Sequence, residues 1–324
     1  MKIDRRQALL FAALAPFARG GLAQEAPWPT RPIRLVAGGV GSVSDIRARW
    51  IAPRLGEALG QPVIVENNGA AGGNLSAAAV ARSAPDGYTV LMYHQGLASM
   101  NPHLYAKPGY DPLVELQPVT RFGHGALLLA VPTALPAQSV SDLLALARSQ
   151  PGALNFGSPG VGTPPHLASE LFIRMARIDA VHVPYRGGGA LMAALLGAQI
   201  TWAIEGLTSQ LPHVQAGRLR ALAVTGARRS RALPEVPTMA EAGLPGYESE
   251  GWTGFAVARA TPAAIVARLH AEISRLAATA EAREWFAQTG SEAGTMTPVA
   301  MDAFVREEHA RWGRFIRETG LKAE

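Results

Sequence analysis

The 324-residue sequence contains no cysteine, which excludes disulfide staples and thiolate metal sites. A chain of this length can rest on its hydrophobic core without such cross-links. Long apolar runs are also missing. The run from Ala8 to Phe17 falls short of the roughly 20 residues that a membrane-spanning helix needs, and no later stretch approaches that length. Clustered positive charge is absent. The arginines are dispersed, with Arg228, Arg229 and Arg231 the densest group, so a nucleic-acid partner is not expected. The 8 histidines include no pair at the helical or strand spacing of a metal site, and neither a metal nor a cofactor is expected.

What is present describes a globular chain: 48% hydrophobic and 17% charged residues, long enough for two domains. Its first residues read as an export leader. Lys2, Arg5 and Arg6 precede the apolar run, and Gly21-Leu22-Ala23 supplies small residues for a cleavage site. The expectation is a signal peptide over residues 1–23, cut after Ala23, and a periplasmic mature protein. The arginine pair leaves the general and the twin-arginine export routes both open. Losing the leader, with four basic residues against Asp4, lowers the net charge from +5 to about +2.

The stretch "NFGSPGVGTPPH", Asn155 to His166, resembles a phosphate cradle but fails each nucleotide spelling. Gly157 and Gly162 keep the glycine spacing of a P-loop, yet Thr163 stands where the phosphate-neutralising lysine belongs. Gly157, Gly160 and Gly162 also have the wrong order for a dinucleotide fingerprint. Phe156 occupies the first glycine position of a nucleophile elbow. Two readings remain. Thr163 as N-cap and Pro164 at the first helical position place a helix N-terminus at the loop, where an anion could bind; alternatively, the loop is a capped turn built for stability alone.

Strand-like and helix-like segments alternate along the chain, which predicts parallel or mixed sheets covered by helices on both faces. The strands expected include Ile33–Ala37, Val63–Glu66, Tyr88–Tyr93, Ala126–Val131, Leu154–Gly157, Val181–Val183, Ile200–Ile204 and Leu219–Thr225. Helices are expected over the segments carrying Ile46 to Leu59, Val140 to Ser149, Pro262 to Ala280 and Pro298 to about Thr319. Ligands of such sheets sit at the carboxyl ends of strands. Two glycine-rich βα turns, Gly38 to Asp45 and Gly157 to Thr163, would therefore face one another across a cleft if the halves form separate lobes. Tyr93, His94 and Gln95 end one strand, with Tyr185 and Arg186 ending another, so these side chains are further candidates for the cleft. Trp50 and Trp202 are expected in the core.

The ordered motifs "WPTRPIRLV", "LGQPVIVENNGAAGGN", "APDGYTVLM", "GSPGVGTPPHLASELF", "HVPYRGGG", "LPHVQAGRLRALAVT" and "GWTGFAV" resemble the tripartite tricarboxylate transporter substrate-binding proteins, also called the Bug family. The resemblance runs from about Trp28 to the C-terminus. It implies a periplasmic binding protein type II-like α/β fold, with two α/β lobes around a ligand cleft. Lobe 1 would comprise residues 24–129 and 226–324, and lobe 2 residues 130–225, with crossings at Ala126–Val131 and Leu219–Thr225. A small organic carboxylate would be held by Gly38, Gly39, Gly41, Ser42 and Asp45 on one side and by Gly157, Ser158, Gly162, Thr163 and His166 on the other. Asp45 would stabilise the loop or act through water, because a second carboxylate repels an anionic ligand.

Membrane transporter or sensor subunits are the implied partners, and a monomer is expected. Two departures stand out. The loop "AGGVGSVSD" is one residue shorter than is usual in the family, and Glu205 stands where the family commonly has aspartate. The longer carboxylate would shrink the cleft or favour a ligand with a hydrogen-bond donor. The enzyme-class alternative is an exported hydrolase or lyase using Ser158, His166 and Glu205 as a triad.

Overall fold

The computed structural model describes residues 28–323; the leader expected over residues 1–23 lies outside the described residues. Strand β1 (Ile33–Ala37) leads into α1 (Val43–Leu59), followed by β2 (Val63–Asn67), α2 (Asn74–Ala81), β3 (Thr89–His94), a π-helical turn (Gly96–Met100) and α3 (Asn101–Leu104). The long β4 (Leu116–Pro132) leads to α4 (Val140–Ser149), β5 (Asn155–Ser158), α5 (Pro164–Ala176), β6 (Val181–Pro184), α6 (Gly188–Leu196), β7 (Trp202–Gly206), α7 (Leu207–Gln215) and β8 (Leu219–Val224). The chain continues through β9 (Glu250–Ala258), α8 (Ala263–Ala277), α9 (Ala280–Gln288), β10 (Glu292–Ala293) and α10 (Pro298–Thr319).

Local chemistry explains the sharpest boundaries. Ser42, Ser139 and Thr297 each cap a helix by accepting the backbone N–H three residues on. Gly60 and Gly320, at φ +73° and +66°, end α1 and α10 in the left-handed conformation that glycine tolerates. The helix expected over Pro262 to Ala280 is α8, ending at Ala277, and a further helix that was not expected, α9, starts where Thr279 accepts the Ala282 N–H.

The sheet order is β2-β1-β3-β9-β4-β7-β5-β6, with β8 and β10 also pairing with β4. Strands β1, β2 and β3 run parallel, as do β5, β6 and β7, while β9 is antiparallel to both of its neighbours. Strand β4 joins the halves. Up to Ala126 it pairs with β9, and from Leu127 with β7 and β8. The partner change falls inside the expected crossing Ala126–Val131.

The return differs from the expectation of residue 226. Leu233, Val236, Met239, Leu244 and Tyr247 all pack into the second lobe's core, and Met239 N–H donates to the Val224 carbonyl. These anchors keep residues 226–249 with the second lobe. The first lobe is regained only at Glu250, opposite Ala126 on β4.

Each half has its own core on both faces of its sheet. In the first, Trp50 stacks on Trp285 at 5.0 Å beside Phe122 and Phe286, while Tyr93 meets Trp252 edge-on at the other face. In the second, Phe156 stacks on Trp202 at 4.9 Å, with Phe172 edge-on to Trp202. Leu191, Leu195 and Ile200 fill the opposite face. Trp50 and Trp202 are thus core, as expected. Among the described residues no helix is long and apolar enough to cross a membrane. Trp202→Ala is predicted to cost about 3–5 kcal/mol in urea unfolding; a loss below about 1 kcal/mol would contradict this packing account.

Candidate ligand-binding cleft

The two halves meet through backbone at their glycine turns and through side chains elsewhere, Leu167 and Val161 of the second packing with Met100, Leu104, Trp312 and Ile316 of the first. Gly189 N–H donates to the Val40 carbonyl at 3.0 Å, and a Cβ on Gly39 or Gly188 would come within 2.9 Å of Gly187 Cα or 2.8 Å of the Gly41 carbonyl oxygen. On the other side of the cleft, Tyr105 Oη donates to the Val161 carbonyl at 2.6 Å. Between these contacts lies a cavity of about 110 Å³ lined by residues of both lobes.

Three helix N-termini open onto the cleft: Ser42 to Ser44 of α1, Thr163 to Pro165 of α5, and Gly206 to Thr208 of α7. Their dipoles favour an anion there. Arg47 adds a full charge. It lies on the inward-facing row of α1 with Ser44, Ala48, Ile51 and Leu55, and is only 3% exposed. Its Nη1 donates to the Gly123 carbonyl and Thr253 Oγ1 at 3.0 and 2.8 Å. Burial lowers the guanidinium to about 9 without a compensating carboxylate, so it stays protonated at neutral pH. Glu205, 3% exposed, lines the same cleft from the end of β7, and burial lifts its carboxyl to about 7 against the pull of the Gly206 N–H. Arg47 Nε, His94 Nδ1, Glu205 Oε2 and Trp252 Nε1 are buried polar atoms without partners among the described residues, and all four side chains belong to residues lining the cleft.

Of the residues expected from sequence, Gly38, Gly39, Ser42, His94, Thr163 and Glu205 line the cavity. The others serve elsewhere. Both oxygens of Asp45 hold the first loop, accepting from Gly41 N–H at 2.9 Å, from Asn67 Nδ2 at 2.8 Å and from Arg49 Nε at 2.8 Å. Gly41 faces Gly189 across the lobe contact. The hydroxyls of Ser158 and Thr163 donate to the Gly160 carbonyl, so they brace their own loop where the sequence had placed them on a ligand. Gly162 N–H donates to His166 Nδ1, and His166 stacks on His182 at 4.2 Å. Gly157 is a packing requirement: its Cβ would strike Ile200 and Leu191 at 2.4 Å, with Tyr185 close behind.

Strand alternation separates the residues at the end of β3. Tyr93 faces the core, His94 lines the cleft, and Gln95 donates from Nε2 to Glu308 at 2.6 Å. Arg47 went unnamed in the sequence reading, although its place on the apolar row of α1 was the available signal. Proline at both of the first two positions of α5 removes two backbone donors, so this helix offers its dipole with fewer N–H groups than a helix N-terminus usually presents.

The arrangement does not favour hydrolysis. Ser158 contacts His182 at 2.7 Å, in place of His166, and is fully buried and outside the cleft lining. A nucleophile sealed from the cleft has no substrate to attack.

Two α/β lobes that share a crossing strand and face a common cleft define a periplasmic-binding-protein-like receptor. The chain belongs to the tripartite tricarboxylate transporter receptor family, whose model matches residues 47–321. It is 34% identical to protein BugT of Bordetella pertussis over 91% of each chain. In structure it is similar to Rhodopseudomonas palustris Rpa4515 with adipate, with a TM-score of 0.88 and 35% identity over 91% of this chain and 99% of that one. It also resembles MatC of the same organism with bound malate, with a TM-score of 0.84 and 31% identity over 88% and 99%.

Two predictions follow from the cleft's geometry. Because the Glu205 carboxyl is raised in the fold, its contribution to stability is intact below about pH 4.5 and lost as pH rises through about 7. Glu205→Gln should therefore stabilise the ligand-free protein on the order of 1–3 kcal/mol at pH 8 and leave it unchanged at pH 4, as measured by urea unfolding; equal effects at both pH values would contradict this. Gly188→Ala should leave the ligand-free melting temperature within a few degrees while opening the lobes, seen as a larger radius of gyration in scattering. An unchanged radius would refute the backbone-contact account.

Proposed function

We propose that the protein is a periplasmic solute receptor that captures a small organic carboxylate by closing its lobes, and that a tripartite tricarboxylate-type transporter or a signalling partner reads the closed form. On this reading it acts as a monomer, uses no cofactor and catalyses no reaction. The single observation carrying it is Arg47, a buried cation facing the cleft with no carboxylate to offset its burial. A ligand carboxylate would supply that counter-charge, with the α1 N-terminus and Ser42 beside it. The adipate and malate of the similar Rhodopseudomonas proteins belong to the same chemical class. Gly38, Gly39, Ser42, His94, Thr163 and Glu205, all expected from sequence, are the proposed contacts, joined by Arg47.

The test is a thermal-shift and scattering screen of ligand-stripped protein against mono-, di- and tricarboxylates. A ligand at 100 times its dissociation constant adds about 2.7 kcal/mol, enough to raise the midpoint by several degrees. Arg47→Met should preserve the ligand-free midpoint, because an aliphatic side chain replaces an uncompensated buried charge, yet lose the carboxylate-induced shift and compaction. No shift from any carboxylate, or an undiminished shift in Arg47→Met, would overturn this reading.

A further inference from the structure

Glu205 is a buried carboxylate with half of its accepting capacity unused. Its Oε1 accepts the Gly206 N–H at 2.8 Å, while Oε2 has no partner among the described residues. On the neighbouring strand β4, Leu128 is its register partner, so the sheet offers it no donor side chain at that position. An ionised carboxylate in this setting is costly unless something donates to it. Arg47 lines the same cleft from α1 of the first lobe, and Glu205 lines it from β7 of the second. The cleft is therefore lined by a cation from one lobe and by a buried carboxylate with an unpartnered oxygen from the other.

We infer that Glu205 is a specificity-determining residue whose free oxygen accepts a hydrogen bond from an ammonium or hydroxyl group that the ligand carries in addition to its carboxylate. This rests on the carboxylate-receptor reading and narrows it to amino or hydroxy acids. A bare diacid suits the site less well. Its second carboxylate would lie beside Glu205, and two buried carboxyl groups at close range cannot both ionise.

Isothermal titration of ligand-stripped protein with succinate, glutarate and adipate, each against its α-amino and α-hydroxy counterparts, tests this. At the chain length that fits, the donor-bearing acid should bind about ten- to a hundredfold more tightly than the bare diacid. Preference for the amino acid alone identifies an ammonium; preference for both identifies any donor. Glu205→Gln, checked for folding by its melting curve, should reduce the preference to about twofold or reverse it, because its amide turns a donor toward the ligand's donor. Equal binding of bare diacids, or a preference that survives Glu205→Gln, overturns the assignment while leaving the carboxylate reading intact. If no acid of any kind binds, the carboxylate reading falls and this inference with it.

Discussion

The uncompensated charge of Arg47 constrains the rest of the cleft. Removing a guanidinium from water costs several kcal/mol even after relaxation, and its protein partners are neutral, a carbonyl and a hydroxyl. Asp45, two residues away on the same helix, cannot help. Its oxygens are engaged by Gly41, Asn67 and Arg49, and without them the first glycine loop would lose its shape. With the N-termini of α1, α5 and α7 opening onto the same cavity, the potential there is positive, and the missing counter-charge must come from solvent. Anion capture in this protein is thus a consequence of how α1 is buried.

Closure has a matching logic. Where the lobes touch, Gly39 and Gly41 meet Gly187 to Gly189, and Val161 meets Tyr105. The backbone contacts set the spacing, while Leu167 and Val161 of the second lobe join an apolar cluster with Met100, Leu104, Trp312 and Ile316 of the first, whose burial favours the closed form. A ligand that contacts residues of both lobes adds to that preference, because only a preference for one state can shift the balance between the two.

The legible parts of the sequence were those with local causes. Capping hydroxyls and terminal glycines bound α1, α4 and α10, and both glycine-rich turns line the cleft, although the turn that meets Gly39 and Gly41 is Gly187 to Gly189. Strand β4 was read only over Ala126–Val131 because Arg121, Gly123, His124 and Gly125 interrupt the apolar pattern of its first part, although β9 covers that part. Residues 226–249 carry no regular period, so nothing local showed that Met239, Leu244 and Tyr247 anchor them to the second lobe. At the site, loop positions were legible while side-chain directions were not. Ser158 and Thr163 could donate to a ligand or to Gly160, and only the folded loop decides between them.

The two sides of the cleft are not equivalent. The first lobe contributes the α1 N-terminus and Arg47, both donors to an anion. The second opens its facing loop with Pro164 and Pro165, which withhold two N–H groups, turns the Ser158 and Thr163 hydroxyls onto Gly160, and adds an acceptor at Glu205. A symmetric clamp would hold a ligand's carboxylate equally from both sides. Here the first lobe brings the full charge of Arg47 to the carboxylate, while the second, with Glu205 beside the α7 N-terminus, is suited to read whatever else the ligand carries. Ligand choice should therefore be governed by residues around β7 and α7, with the capture of an anion as such governed by α1.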